Sequence, residues 1–175
     1  MKISITGTPC VGKSTVSNIL SKKLGYKLIK INDLAKQIGA YSGYDRKLKS
    51  KILDMKKLSR EIKQIKCDVI LDGHVSHEFS VDIVVVLRCD PKILEIRLRK
   101  KYPKNSTKVK ENVDAEILGV ITSESVQKND NVFEVDVSRI TSQQVAERVF
   151  SIVKTKGERY KAGKIDWLDK YEKKL

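Results

Sequence analysis

Apolar and polar positions along the chain alternate between two periods, one of strands and one of helices. The opening Met-Lys-Ile-Ser-Ile-Thr is a short β-branched run that predicts a strand over 1–6. Val16, Ile19, Leu20 and Leu24 then fall at helical spacing, with Gly25 placed to end the helix. Tyr26 to Ile31 alternates as a second strand would, and Asn32-Asp33 offers capping side chains to a short helix through Ile38. Gly39, Tyr41, Gly43, Tyr44 and Asp45 interrupt any regular pattern, after which Leu48, Ile52, Met55, Leu58 and Ile62 predict another helix. This piece reads as an insertion between core units, mobile at its glycines.

Asp68 to Asp72 and Asp82 to Leu87 are apolar runs of the kind buried on both faces of a parallel sheet, and Pro91 opens the next helix at its favoured first-turn position. Val109, Val113, Ile117, Val120 and Ile121 form a further helical stripe. Phe133, Val135 and Val137 alternate with Glu134 and Asp136 as in a half-exposed strand, and Val145, Val149, Ile152 and Val153 make the last core helix. Strands alternating with helices predict an α/β fold, a five-stranded parallel sheet covered on both faces in three layers, as one domain over 1–175.

Between the first strand and first helix lies Gly7-Thr8-Pro9-Cys10-Val11-Gly12-Lys13-Ser14, which fits the G-x-x-x-x-G-K-[ST] phosphate-binding loop. A polyphosphate there is wrapped by backbone N–H groups, which a side chain at Gly7 or Gly12 would obstruct. Lys13 then reaches the β- and γ-phosphates, Ser14 gives its hydroxyl to Mg²⁺, and Thr15 contacts the region of the α-phosphate. ATP and Mg²⁺ are the implied cofactors. Asp72 ends an apolar strand whose carboxyl end should lie beside this loop, where it holds Mg²⁺ through water or, more plainly, caps the next turn.

The cations Arg97, Arg99, Lys100 and Lys101 continue through Lys104, Lys108 and Lys110, with Pro103 and Asn105 breaking the helix between them. Two readings stay open for this run: a hinged segment closing over ATP, and a solvated basic helix face.

Lys and Arg total 36 against 22 Asp and Glu, a net charge of +14, which suits polyanionic partners in general, including nucleotides and RNA. The three cysteines, Cys10, Cys67 and Cys89, have no zinc-like spacing and read as reduced thiols. No apolar run approaches the roughly 20 residues of a membrane span. A cytoplasmic location is expected, or a nuclear one in a eukaryote. The tail from Lys156 to Leu175 begins with charges and glycines and then gives Ile165, Trp167, Leu168 and Tyr171. It either docks as a short terminal helix or meets a partner.

The loop GTPCVGKST, the segment NDLAKQIGAYSGYD, the strand end LDGHVSH, the VLRCDP stretch and the later ENVDAEI together resemble the adenylate kinase isoenzyme 6 family, over roughly residues 1–150. Its members are small P-loop nucleoside monophosphate kinases also described as ribosome-assembly ATPases. The resemblance implies ATP binding by Cys10, Gly12, Lys13, Ser14 and Thr15, with Cys10 standing where the family often has glycine. It implies a Walker-B-like pair in Asp72 and His74, the histidine orienting water or assisting hydrolysis. Residues 30–53 look like the monophosphate-binding arm, with Asp33 and with Lys36 where arginine is common. Residues 99–109 look like the lid, preceded by Arg97, with Lys100 and Lys101 in place of the lid arginine. Residues 156–175 are a basic extension, and His77 receives no role.

The activity implied is transfer of the ATP γ-phosphoryl group to AMP. ATP-driven remodelling of a small-subunit ribosomal protein and rRNA contact is the alternative, and phosphorylation of another small metabolite is a third.

Overall fold

The computed structural model describes residues 1–46 and 50–171, with no side-chain description at 50. In chain order the elements are β1 (Lys2–Thr6), α1 (Lys13–Leu24), β2 (Lys27–Lys30), α2 (Ile31–Ile38), β3 (Tyr41–Asp45), β4 (Ser50–Leu53), α3 (Met55–Gln64) and β5 (Val69–Asp72). They continue with β6 (Ile83–Arg88), α4 (Pro91–Lys101), α5 (Ser106–Ile117), α6 (Val120–Lys128), β7 (Val132–Asp136), α7 (Ser142–Thr155) and α8 (Trp167–Tyr171). The main sheet has five strands in the order β2-β5-β1-β6-β7, every neighbouring pair parallel.

Strand alternation sorts the core into layers. Ile3, Ile5, Ile70, Val85 and Leu87 point to one face, where they meet Val16 and Leu20 of α1, Leu94 and Leu98 of α4, and Val149 and Ile152 of α7. Val69 and Leu71 point to the other, against Ile31, Ala35, Leu58 and Ile62 of α2 and α3, while Val84 and Val86 meet Ile121 of α6. Each fully buried aliphatic side chain contributes about 1.5–3 kcal/mol. The apolar β6 run, at most 2 % exposed from Ile83 to Leu87, is therefore the spine of the sheet.

The ends are set locally. Gly25 closes α1 in the left-handed region at φ 71°, where its amide reaches the Ser21 carbonyl. Pro91 sits in the first turn of α4 behind an Asp90 cap. Thr141 and Gln144 form a reciprocal capping box on α7.

Four expectations need correction. The helix expected from Leu48 begins only at Met55, where Asp54 accepts a 3.0 Å bond from the Lys57 amide. Ile52 lies instead in an antiparallel hairpin, opposite Gly43, and Leu48 falls outside the described residues. Asn32 and Asp33 lie inside the first turn of α2, because the chain enters the helix already at Ile31 behind Lys30. The stripe from Val109 to Ile121 is two helices parted by Gly119 at φ 62°.

Glu134 is 3 % exposed rather than facing water. The outer edge of β7 is covered by the C-terminal segment, in which Lys161 bridges Phe133 antiparallel and the Ala162 amide donates to the Val132 carbonyl at 3.0 Å. The tail thus docks on its own domain, and the Tyr171 hydroxyl finishes the attachment by donating to Asp90 at 2.8 Å.

Candidate active site

Because β1 lies between β5 and β6, the chain leaving β1 and the chain leaving β5 emerge side by side at the carboxyl end of the sheet. Ile5 is in register with Asp72, and the Gly73 amide donates to the Ile5 carbonyl at 3.3 Å. Open α/β sheets bind ligands at such a crevice.

Residues 7–12 make the turn between β1 and α1. Gly7 has φ 131°, and a Cβ there would sit 2.4 Å from the Leu87 carbonyl oxygen, so no other residue fits. Gly12, at φ 102°, leads into α1 with open space where a side chain would stand. Cys10 also adopts a positive φ, 73°, which explains why glycine is an easy alternative at this position.

The Lys13 ammonium turns back over the loop and donates to the carbonyls of Gly7 and Thr8, each at 2.9 Å. Part of the side chain reaches solvent, but the ammonium is enclosed. Burial lowers its pKa to about 8, with the negative charge of Asp72 opposing the shift and Lys101 adding to it. Asp72 is 5 % exposed, and among the described residues no hydrogen bond reaches its carboxylate. A buried, undonated carboxylate beside a polyphosphate cradle, with the exposed Ser14 at the start of α1, is a donor set suited to a hydrated Mg²⁺. Thr15 is exposed on the same turn.

His74 follows Asp72 at the rim. By surface area it is exposed, yet surrounding protein desolvates the ring, and Lys13, His77 and Lys108 repel a further proton, so its pKa falls to about 4. Burial and the nearby charges act in the same direction, with burial the larger cause. His74 is neutral near pH 7. His77, without a role in sequence, is a packing element: 2 % exposed, with Nδ1 3.1 Å from the Thr6 hydroxyl and Nε2 3.2 Å from Glu124.

The cationic segment is the last turn of α4, a four-residue connection from Tyr102 to Asn105, and the first turn of α5, which Asn105 caps. Lys101 and Lys108 lie over the Tyr102 ring at 5.5 and 4.9 Å, and their charges act on Lys13 and His74 respectively. Lys100 is exposed one residue earlier. Arg97, half-buried on α4, is close enough for its charge to act on Cys89. Asp33 and Lys36 are exposed on α2, and Asp33 borders a cleft of about 360 Å³ whose other walls are β2 and α3, with no phosphate-loop residue. The structure thus gathers Lys13, Asp72, His74 and Lys101 and leaves the two arm residues apart.

Sequence reasoning missed Arg88 and Glu116. Arg88 is 3 % exposed and donates through Nε to Glu116 at 2.8 Å and through Nη1 to Glu134 at 2.6 Å. Burial works against its charge, but the two carboxylates outweigh burial and raise its pKa. A lone arginine ending the run VVVL was the available signal, because a charge at a buried strand end needs a partner.

A family model described as "AAA domain" matches residues 3–119. Proteins named "Putative adenylate kinase" are 40 % identical in Methanocaldococcus jannaschii over 98 % of this chain and 95 % of theirs, and 41 % identical in Methanococcus maripaludis over 98 % and 97 %. The chain belongs to this family. The adenylate kinase relatives extend to Pyrococcus abyssi at 37 % identity, over 98 % of this chain and 94 % of that one. Among solved structures, the fold is shared with YorR of Bacillus subtilis in complex with phosphorylated GDP (TM-score 0.61, 20 % identity, 89 % of this chain and 97 % of that one). It is shared also with shikimate kinase of Acinetobacter baumannii in complex with shikimate (TM-score 0.60, 16 % identity, 90 % and 94 %). The architecture is that of P-loop kinases.

The Lys13 shift has a consequence for pH. If the protonated ammonium is the form that holds phosphate, kcat/KM for ATP should hold below pH 8 and fall as pH rises through about 8. The ligand-free fold should respond oppositely: a lysine depressed below its unfolded value of 10.5 weakens the fold where it is charged, and stability returns between about 8 and 10.5. A kcat/KM profile flat to pH 10 would contradict this assignment.

Proposed function

We propose that the protein is a nucleoside monophosphate kinase that passes the γ-phosphoryl group of ATP to AMP. The observation that carries the reading is the enclosed Lys13 ammonium poised on the loop carbonyls beside the undonated carboxylate of Asp72.

In this reading the amides of residues 10–15, including those of Cys10, Gly12 and Thr15, wrap the ATP phosphates. Lys13 exchanges its carbonyl partners for phosphate oxygens. Ser14 and Asp72 are the residues that would hold Mg²⁺, which would supply charge neutralisation to the ATP phosphates. Arg97, Lys101 and the neighbouring Lys100 add positive charge from α4 where the transferred group develops negative charge. Asp33 and Lys36 act from the arm on AMP once the arm moves toward the loop. The acceptor is already an anionic nucleophile, so the chain has to position and neutralise rather than abstract a proton. Work in the cytoplasm follows from the same reading, and a ribosomal partner stays an implication of the family resemblance. An acceptor panel of AMP, GMP, CMP and UMP with MgATP tests the reading. ADP formation that depends on AMP above the others supports it, and the same slow nucleotide breakdown with every acceptor overturns it.

ATP hydrolysis is the second reading, favoured by the neutral His74 ring, close enough to Lys13 to feel its charge. Water, unlike AMP, has to be oriented by a protein group within hydrogen-bond reach. His74→Ala should therefore depress acceptor-independent phosphate release about 10²-fold, the scale of a lost acid–base or orienting group, with a smaller effect on AMP phosphorylation. Equal loss of both rates in a folded variant would assign His74 to the shape of the loop instead.

A further inference from the structure

The phosphate loop is tied to the protein interior through one carboxylate. The Thr8 hydroxyl donates to Glu116 Oε2, and the two residues are 3 % and 2 % exposed. Glu116 Oε1 accepts from Arg88 Nε at 2.8 Å and from the Cys89 amide at 3.1 Å, and Arg88 Nη2 donates to the Glu116 carbonyl at 2.8 Å. The side chain is thereby fixed from the end of β6 and by its own helix, α5. Thr8 in turn supplies one of the two carbonyls on which the Lys13 ammonium rests. A buried carboxylate is a costly way to fill space, since desolvation opposes it, but a well-oriented way to hold a hydroxyl at one point.

We propose that Glu116 is a positioning residue for ATP, fixing Thr8 and through it the phosphate-loop backbone and Lys13. The proposal rests on the reading of this loop as the ATP site. Glu116 touches neither substrate, and its action should be confined to the nucleotide that the loop holds. Arg88 anchors it from below, with Glu134 as second partner at 2.6 Å. Glu134 also accepts from the Gly163 amide at 2.8 Å, so the docked C-terminal segment buttresses the same assembly.

The test uses the full-length chain with Glu116→Gln, which keeps the side-chain shape and an oxygen for Arg88 and the Cys89 amide, Thr8→Val, which removes only the hydroxyl, and the double variant. Each is assayed with MgATP and AMP well below its melting temperature. Outer-shell groups of this kind are typically worth 10–100-fold, so KM for ATP should rise about tenfold in each single variant, with KM for AMP unchanged. The double variant should be no worse than the single ones, because the two groups act as a unit. An unchanged KM for ATP in a folded Glu116→Gln, equal rises in both KM values, or effects that multiply in the double variant would each overturn the proposal. If Glu116→Gln does not fold, Thr8→Val decides: a raised KM for ATP alone supports the proposal and an unchanged one overturns it. A wild-type chain that binds no MgATP would overturn the loop assignment and this inference with it, an outcome distinct from wild-type binding that the variants leave intact.

Discussion

Replacing Lys13 with alanine is expected to cut kcat by about 10²–10³-fold, the loss seen when one preorganised donor is removed from a site of developing charge. The ammonium rests on the loop's own carbonyls, at 2.9 Å from Gly7 and Thr8 oxygens, so it needs little movement to meet a phosphate that displaces them. The fold should survive the change. A charged lysine whose pKa is lowered to about 8 by burial costs the ligand-free protein stability at neutral pH, and its removal relieves that cost while leaving two carbonyls without a partner. Thermal unfolding near wild type together with lost turnover would mark Lys13 as functional. Near-normal turnover at saturating ATP would remove the loop from the chemistry.

Arg88→Met should be the most damaging substitution for stability. It deletes the cation between Glu116 and Glu134, whose side chains are 2 % and 1 % exposed, and leaves two carboxylates buried near each other. Removing one partner from a buried pair costs about 3–5 kcal/mol, against roughly 0–1 kcal/mol for surface pairs such as Arg99 with Glu95. Urea unfolding of Arg88→Met beside Arg99→Met measures the contrast. Similar midpoints for the two would mean that the buried network contributes nothing beyond its packing.

The parts legible in sequence were those whose signal is local. The runs VILD and IVVVL are apolar throughout because both sheet faces are covered, and the phosphate loop is set by glycines that the backbone geometry demands at fixed spacing. The helix expected from Leu48 failed because Ile52 matches a helical period with Met55 and Leu58 by coincidence, while its pairing with Gly43 joins two segments in a way that spacing along one of them does not reveal. Glu134 was placed facing water because alternation reports the sheet and not what crosses its edge. The segment 161–163 supplies that cover from a distant part of the chain. Glu116 was hidden for the same reason: on a helix with Glu111 and Asp114 nearby it reads as one more surface acid, and only the arrival of α5 beneath the loop brings it to Thr8 and Arg88. Asp33 and Lys36 were legible only through family resemblance, and they lie exposed on α2, where the cleft that Asp33 borders shares no wall with the phosphate loop.

The most direct measurement of the central claim is the fate of the γ-phosphate of ATP when wild-type protein turns over with Mg²⁺ and saturating AMP. Label carried on that phosphate should appear in ADP made from AMP, at a rate that rises with AMP concentration, with only a minor fraction released as inorganic phosphate. Label found in inorganic phosphate at a rate indifferent to AMP would contradict a monophosphate kinase.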